Sequence, residues 1–144
     1  MDLNNIRISF VLIMIFGLMV TSCSSFSGIA ADELGGSKWN LLHIRKSMPI
    51  PDRIITIEFE DGEVTGTSGC NTYFGKHMTK GNEISFGQLA STEMACLDPE
   101  GIMDQEQEYL TFLSEVVAFS IEGDRLILKK AHQDQLTFKK TTNY

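Results

Sequence analysis

The chain is short of positive charge. Its 144 residues carry 12 Lys and Arg against 19 Asp and Glu, for a formal net charge of −7. Affinity for nucleic-acid phosphates comes from counterion release by Lys and Arg, so no nucleic-acid partner is expected. The same deficit argues against holding to anionic lipid by charge alone. Long apolar runs are also lacking. The longest, residues 8–20, has 13 positions broken only by Ser9 and Gly17, and a transmembrane helix needs about 20. Cysteine is scarce and odd in number, at three, with no C-x-x-C and no close His pair, so the usual zinc spacings are missing. There is no D-x-D-x-D-G calcium loop, Gly-rich phosphate loop or Ser-His-Asp signature. Neither a metal nor a cofactor is expected.

The first segment present is an address. A 13-residue apolar run is right for a secretory h-region, which needs about 7–15 residues. Arg7 precedes it and Val20-Thr21-Ser22-Cys23 follows it. An aliphatic residue, two small residues and Cys resembles the bacterial lipobox, in which the thiol is acylated and the chain is cut just before it. The alternative is an ordinary signal peptide cut near Gly28-Ile29-Ala30-Ala31, with Cys23 incidental. The lipobox reading makes residues 1–22 a leader, Cys23 the lipidated residue and residues 23–36 a flexible, Ser/Gly/Ala-rich tether. A diacylglyceryl group plus a palmitate-type N-acyl chain meets the two-signal threshold for stable anchoring. The expected location is therefore the bacterial cell envelope, with the membrane contacted through the lipid on Cys23.

The domain is expected over residues 37–140. Trp39, Leu41, Leu42 and Ile44 suggest a strand, and two prolines force a loop over residues 48–51. Ile55, Ile57 and Phe59 share one face of the next strand. Asp61-Gly62 turns the chain into a partner strand over residues 63–68. Residues 69–75 read as an irregular loop bounded by glycines. Ile84 and Phe86 face inward from a strand over residues 83–88. Asp98-Pro99-Glu100 looks like a helix start, with Asp98 as N-cap and Pro99 at the first helical position. The helix is expected over residues 99–116, with Met103, Leu110, Leu113 and Val117 on its apolar stripe and Ile102, Tyr109 and Val116 beside them. Phe119 and Ile121, Leu126 and Leu128, and Leu136 and Phe138 mark three closing strands. The fold class is mainly β (α+β): an antiparallel, incomplete barrel-like sheet of about seven strands, with the helix filling its gap.

Several segments resemble the META/HslJ family of bacterial envelope domains. They are Ser37-Lys38-Trp39-Asn40-Leu41, Ile57-Glu58-Phe59 with Asp61-Gly62, Gly66-Thr67-Ser68-Gly69-Cys70-Asn71, Thr92-Glu93-Met94-Ala95-Cys96, the helix with Glu106, and the final strands. The resemblance implies a β-rich, barrel-like fold with one helix. It implies heat-inducible, motility-linked or secretion-linked envelope roles, and no established reaction. Similar architecture occurs in lipid-binding pilot lipoproteins of secretion systems. The family motifs bring Cys70 and Cys96 together as a disulfide candidate, which an exported compartment permits; the alternative is two buried free thiols.

Few other residues suggest chemistry. Cys96 before a helix start, or Cys70, could serve a thiol-dependent enzyme with His43, His77 or His132 as base and Asn71 as orienter. A Cys2His2 zinc site from these residues lacks the ligand spacing. Glu106 falls on the apolar stripe and needs a donor, expected from residues 69–74 or 92–96, so Glu106 and Asn71 are read as structural polar residues. Tyr73, Phe74, His77 and Met78 either plug a barrel end or form a binding rim. The functional expectation is a non-enzymatic, lipid-anchored, monomeric envelope protein that binds a protein partner or an apolar ligand in a stress- or secretion-related role. The alternatives are a structural envelope stabiliser with no specific ligand, and the thiol enzyme.

The anchor is directly testable. Cys23→Ala should leave the precursor uncut at this site and free of lipid, as read by mass spectrometry of the membrane fraction. Wild-type protein recovered wholly in the soluble fraction, with its N-terminus beyond Cys23, would rule the lipobox reading out.

Overall fold

The computed structural model describes residues 33–132 and 134–141. The expected leader, Cys23 and the tether up to residue 32 lie outside the described residues. Within them the chain forms nine strands and one helix. These are β1 (Ser37–Ile44), β2 (Thr56–Glu60), β3 (Glu63–Thr67), β4 (Thr72–Lys80), β5 (Glu83–Phe86), β6 (Ala90–Ser91), α1 (Ile102–Ser114), β7 (Ala118–Glu122), β8 (Arg125–Lys129) and β9 (Gln135–Lys140).

All pairings are antiparallel, in the order β3-β2-β1-β9-β8-β7-β5-β4-β6, and β3 also pairs with β4. The sheet therefore closes on itself as a ring. One junction is thin: β5 meets β7 at Glu83 and Ala118, backed by the Ile84 N–H donating to the Val117 carbonyl at 3.2 Å. That narrow seam makes the ring an incomplete barrel.

Period-two alternation sends one row of each strand inward. Trp39, Ile57, Phe59, Val64, Leu126, Leu128, Leu136 and Phe138 are buried and fill the ring. The helix covers the remaining opening. Tyr109 packs edge-on against Tyr73 and Phe138, at 5.7 and 6.4 Å between ring centroids. Among the described residues no helix is long and apolar enough to cross a membrane.

Four details differ from the sequence reading. First, the sheet has nine strands rather than seven, because residues 72–80 form β4 and residues 90–91 form β6. The inward row of β4 is Tyr73, Gly75, His77 and Thr79, which is not an apolar row. Its strand character comes from pairing with β3, β5 and β6. Second, Asp98 does not cap the helix. Residues 99–101 form a turn, closed by the Ile102 N–H on the Pro99 carbonyl at 3.2 Å, and the N-cap is Gly101 in the left-handed region at φ 82°. Third, the inward helix face is Ile102, Glu106, Tyr109, Phe112, Leu113 and Val116, while Met103 and Val117 point outward. The stripe is thus rotated, and Phe112 belongs to it. Fourth, the expected tether ends early. Leu34 is fully buried, and the Ser37 amide and hydroxyl both donate to its carbonyl.

Glycine at position 66 has a packing reason. A Cβ there would lie 2.1 Å from the Thr56 carbonyl oxygen and 2.8 Å from the Tyr73 hydroxyl. The bare backbone lets the Tyr73 hydroxyl reach the Thr56 carbonyl at 2.9 Å and the Tyr109 hydroxyl at 2.8 Å. Burial raises the titration of both phenols well above the usual tyrosine range, so both stay protonated donors. Gly66→Ala should destabilise the domain by about 1–3 kcal/mol through overpacking, and Tyr73→Phe by about 1 kcal/mol through the lost bond. Urea unfolding measures both; a neutral Gly66→Ala would contradict the close approach.

Candidate functional site

The site is built from a turn, a carboxylate and two loops. Residues 68–71 form a tight turn after β3, closed by the Ser68 N–H on the Asn71 carbonyl at 2.8 Å. Glu106, one turn into α1, projects into it and is only 6% exposed. Its Oε2 accepts from the Ser68 hydroxyl at 2.5 Å and from the Asn71 amide at 2.8 Å; its Oε1 accepts from Asn71 Nδ2 at 2.7 Å. The Cys70 backbone N–H adds to this set. Burial alone would raise the Glu106 carboxyl's titration. The four donors outweigh burial and hold it below its ordinary value of 4.5.

Asn71 also grips the next segment. Its Oδ1 accepts from the Met94 N–H at 2.8 Å and the Thr92 hydroxyl at 2.7 Å, and its Nδ2 donates to the Met94 carbonyl at 3.1 Å. Two residues on, Cys96 is bridged to Cys70 with Cα atoms 6.0 Å apart. Residues 92–98 are therefore fixed against the turn.

A second loop, residues 45–55, is tied to the same region. Gln105 Oε1 accepts from the Ile50 N–H at 2.6 Å, and Arg53 Nη2 donates to the Asp98 carbonyl at 2.6 Å. The two loops and the start of α1 leave large apolar side chains in water. Leu97 is 92% exposed, Met48 79%, Ile54 68%, Met94 55% and Met103 37%. These side chains make up an apolar rim on two loops that hydrogen bonds and the disulfide tie to α1 and to the 68–71 turn.

The residues expected from sequence fall into three groups. Cys70, Cys96, Asn71 and Glu106 are brought together. Tyr73 and His77 are buried in the ring, with His77 edge-on to Phe59 at 5.0 Å. Phe74 and Met78 lie exposed on the opposite face of β4. Strand alternation divides the four residues: Tyr73 and His77 take the interior position that was one of the two alternatives, which removes them from a rim, and Phe74 and Met78 face outward. The rim that does form was missed. Its available signals were the apolar residues around the two prolines at 48–51 and the apolar pair flanking Cys96. Ser68 and Thr92, also missed as ligands of the polar knot, lie inside the quoted family motifs.

Two further features bear on chemistry. Among the described residues, no group of three or more His, Cys, Asp or Glu is placed to hold a metal ion. Outside the thin seam lies an open groove of about 810 Å³, lined by Met78, Ile84, Val116 and Val117 among others.

The META domain profile matches residues 32–143. The chain belongs to the META domain family. Its fold is shared by an NMR structure of a protein from Burkholderia xenovorans, 27% identical, with a TM-score of 0.63 over 76% of this chain and 85% of that one. A DUF4847 family protein from Bacteroides vulgatus is 14% identical, with a TM-score of 0.57 over 78% of this chain and 97% of that one. No curated protein matches the chain at a significant level.

The carboxylate can be tested by pH. Because the folded titration value of Glu106 is lowered, its contribution is complete above the unfolded value near 4.5 and is lost as pH falls through the folded value. Glu106→Ala should cost about 1–3 kcal/mol at neutral pH through stranded donors. Glu106→Gln offers one acceptor oxygen to four donors, so it should cost less than Ala. Either substitution should also flatten the loss of stability below pH 4.5. Denaturant melts across the acid range report this, and an unchanged slope would overturn the assignment.

Proposed function

We propose that this META domain is a non-enzymatic envelope protein, held to the membrane by lipid on Cys23, that binds a partner protein through the apolar rim. The observation that carries the reading is the exposure of Met48, Ile54, Met94 and Leu97 on two loops that are cross-tied to each other and to α1. A loop backbone held in place before binding loses less freedom on docking, so an apolar surface on tied loops binds better than one on mobile loops. Methionine adds adaptable, polarizable contact area. The non-enzymatic part is supported by the Cys70–Cys96 bridge, because a thiol nucleophile must be free to form its thiolate. A stress- or secretion-related role fits the family resemblance. A purely structural stabiliser has no need of this surface.

The test compares wild type with Ile54→Asp and Leu97→Asp, each purified natively from membranes and cross-linked. Both substitutions sit on exposed side chains, so the thermal midpoint should hold. A protein that is cross-linked to Met94 or Leu97 in wild type and lost from both variants is the expected result. The same cross-linked set in all three would refute docking at the rim.

A further inference from the structure

We infer that the rim takes a cationic amphipathic segment of a partner protein, one that carries Lys or Arg beside apolar residues. This rests on the partner-docking reading above and adds the chemistry of the partner. From Glu93 to Asp104 the chain carries four carboxylates, Glu93, Asp98, Glu100 and Asp104, and no basic residue. All four are exposed, and none is ion-paired with a described residue. They alternate along the chain with Met94, Leu97 and Met103, so unpaired negative charge and exposed apolar area are interleaved. On the facing loop, Asp52 adds a carboxylate and Arg53 a cation whose guanidinium donates to the Asp98 backbone carbonyl, so the five carboxylates still outnumber it. The other bases on that loop are Lys46 and Arg45, and Arg45 is ion-paired with Glu108 and Asp134.

Interleaving of this kind selects its partner. An apolar segment flanked by carboxylates would place like charges together on docking, which costs free energy and slows encounter. An anionic lipid surface would be repelled for the same reason. A segment with cationic and apolar residues would instead bury its apolar side chains on Leu97, Ile54 and the methionines while its ammonium or guanidinium groups reach the carboxylates. Acidity alone does not define the site. The hairpin of β2 and β3 also gathers carboxylates, with Glu58, Glu60, Asp61 and Glu63 lining one shallow groove, but that groove has no large apolar lining residue. It serves as an internal control.

The test uses the purified full-length chain and fluorescently labelled synthetic peptides with Leu at helical spacing and either Lys or Glu between. The Leu/Lys peptide should bind with an affinity that falls as salt rises, and the Leu/Glu peptide should not bind. Leu97→Ser, and separately the double change Glu93→Lys with Glu100→Lys, should weaken the Leu/Lys peptide by at least about tenfold. Glu60→Lys with Glu63→Lys should leave it within about twofold. Phosphatidylglycerol vesicles should not compete. Equal binding of the two peptides, or equal loss in the β2–β3 control, overturns the proposal. So does vesicle binding that depends on Leu97, which would reassign the rim to lipid. If the peptides fail while Ile54→Asp and Leu97→Asp still abolish the native cross-link, the charge class alone falls; if both fail, docking at the rim falls with it.

Discussion

A buried carboxylate organises this domain. Glu106 stands on the inward face of α1, where its neighbours in the stripe are Ile102, Tyr109 and Leu113. Removing a charge from water is costly unless donors replace the hydration. Here the replacement comes from Ser68, Cys70 and Asn71, all within one four-residue turn. The same carboxylate therefore fixes the helix register and the turn conformation. Either one without the other would leave a charge, or a set of amide donors, unsatisfied in a water-poor interior. This reciprocal need holds α1 on the β ring without a capping side chain at its start.

The constraint passes outward through Asn71. Its carboxamide has one oxygen and two amide hydrogens, and the structure uses both ends: the amide group serves Glu106 and the Met94 carbonyl, and the oxygen serves Met94 and Thr92. A polar knot inside thus sets the path of an irregular segment outside. The disulfide extends that path by two residues. Its partners are 26 residues apart in sequence, but β4, β5 and β6 between them are already paired in the sheet. The loop-closure advantage, about 3.5 kcal/mol for an otherwise free chain, is therefore partly supplied by the sheet. The bridge acts most on residues 95–98, which lack ladder bonds and carry Leu97.

How much of this was legible in sequence follows from which signals are periodic. Strands β2 and β9 alternate apolar and polar residues and β8 is a short apolar run between Arg125 and Lys129, so the inward rows of Ile57 and Phe59, Leu126 and Leu128, and Leu136 and Phe138 were readable directly. The same holds for the turn at Asp61-Gly62. β4 was not readable, because glycine and histidine occupy inward positions and the exposed row holds Phe74 and Met78. The helix start misled because Asp98-Pro99 fits an N-cap pattern, yet the chain turns once more before Gly101. Glu106 was legible as an anomaly on an apolar stripe even though the stripe itself was rotated, since its position between Ile102 and Tyr109 is inward in either register. The rim was not legible because it has no period. Its residues come from two loops 40 or more positions apart, joined by contacts such as Arg53 to Asp98 that only the fold supplies.

The topology gives the rim a direction. β1 begins at Ser37, beside buried Leu34, and ends at Ile44, and eight residues of strand span about 25 Å. The first rim loop follows at once, so it lies at the opposite end of β1 from the point where the chain enters the ring. β9 runs antiparallel to β1 and returns the chain to the entry end, where the Thr141 N–H donates to the Lys38 carbonyl at 2.8 Å. Both ends of the described domain are therefore gathered at one pole and the second rim loop is tied to the first at the other. On the proposed anchoring through Cys23, the attachment and the contact surface are separated by the length of the strand. On that proposal the module stays on its membrane and still presents Leu97 and Ile54 to a partner, because neither rim loop contributes to the pole at which the described chain begins.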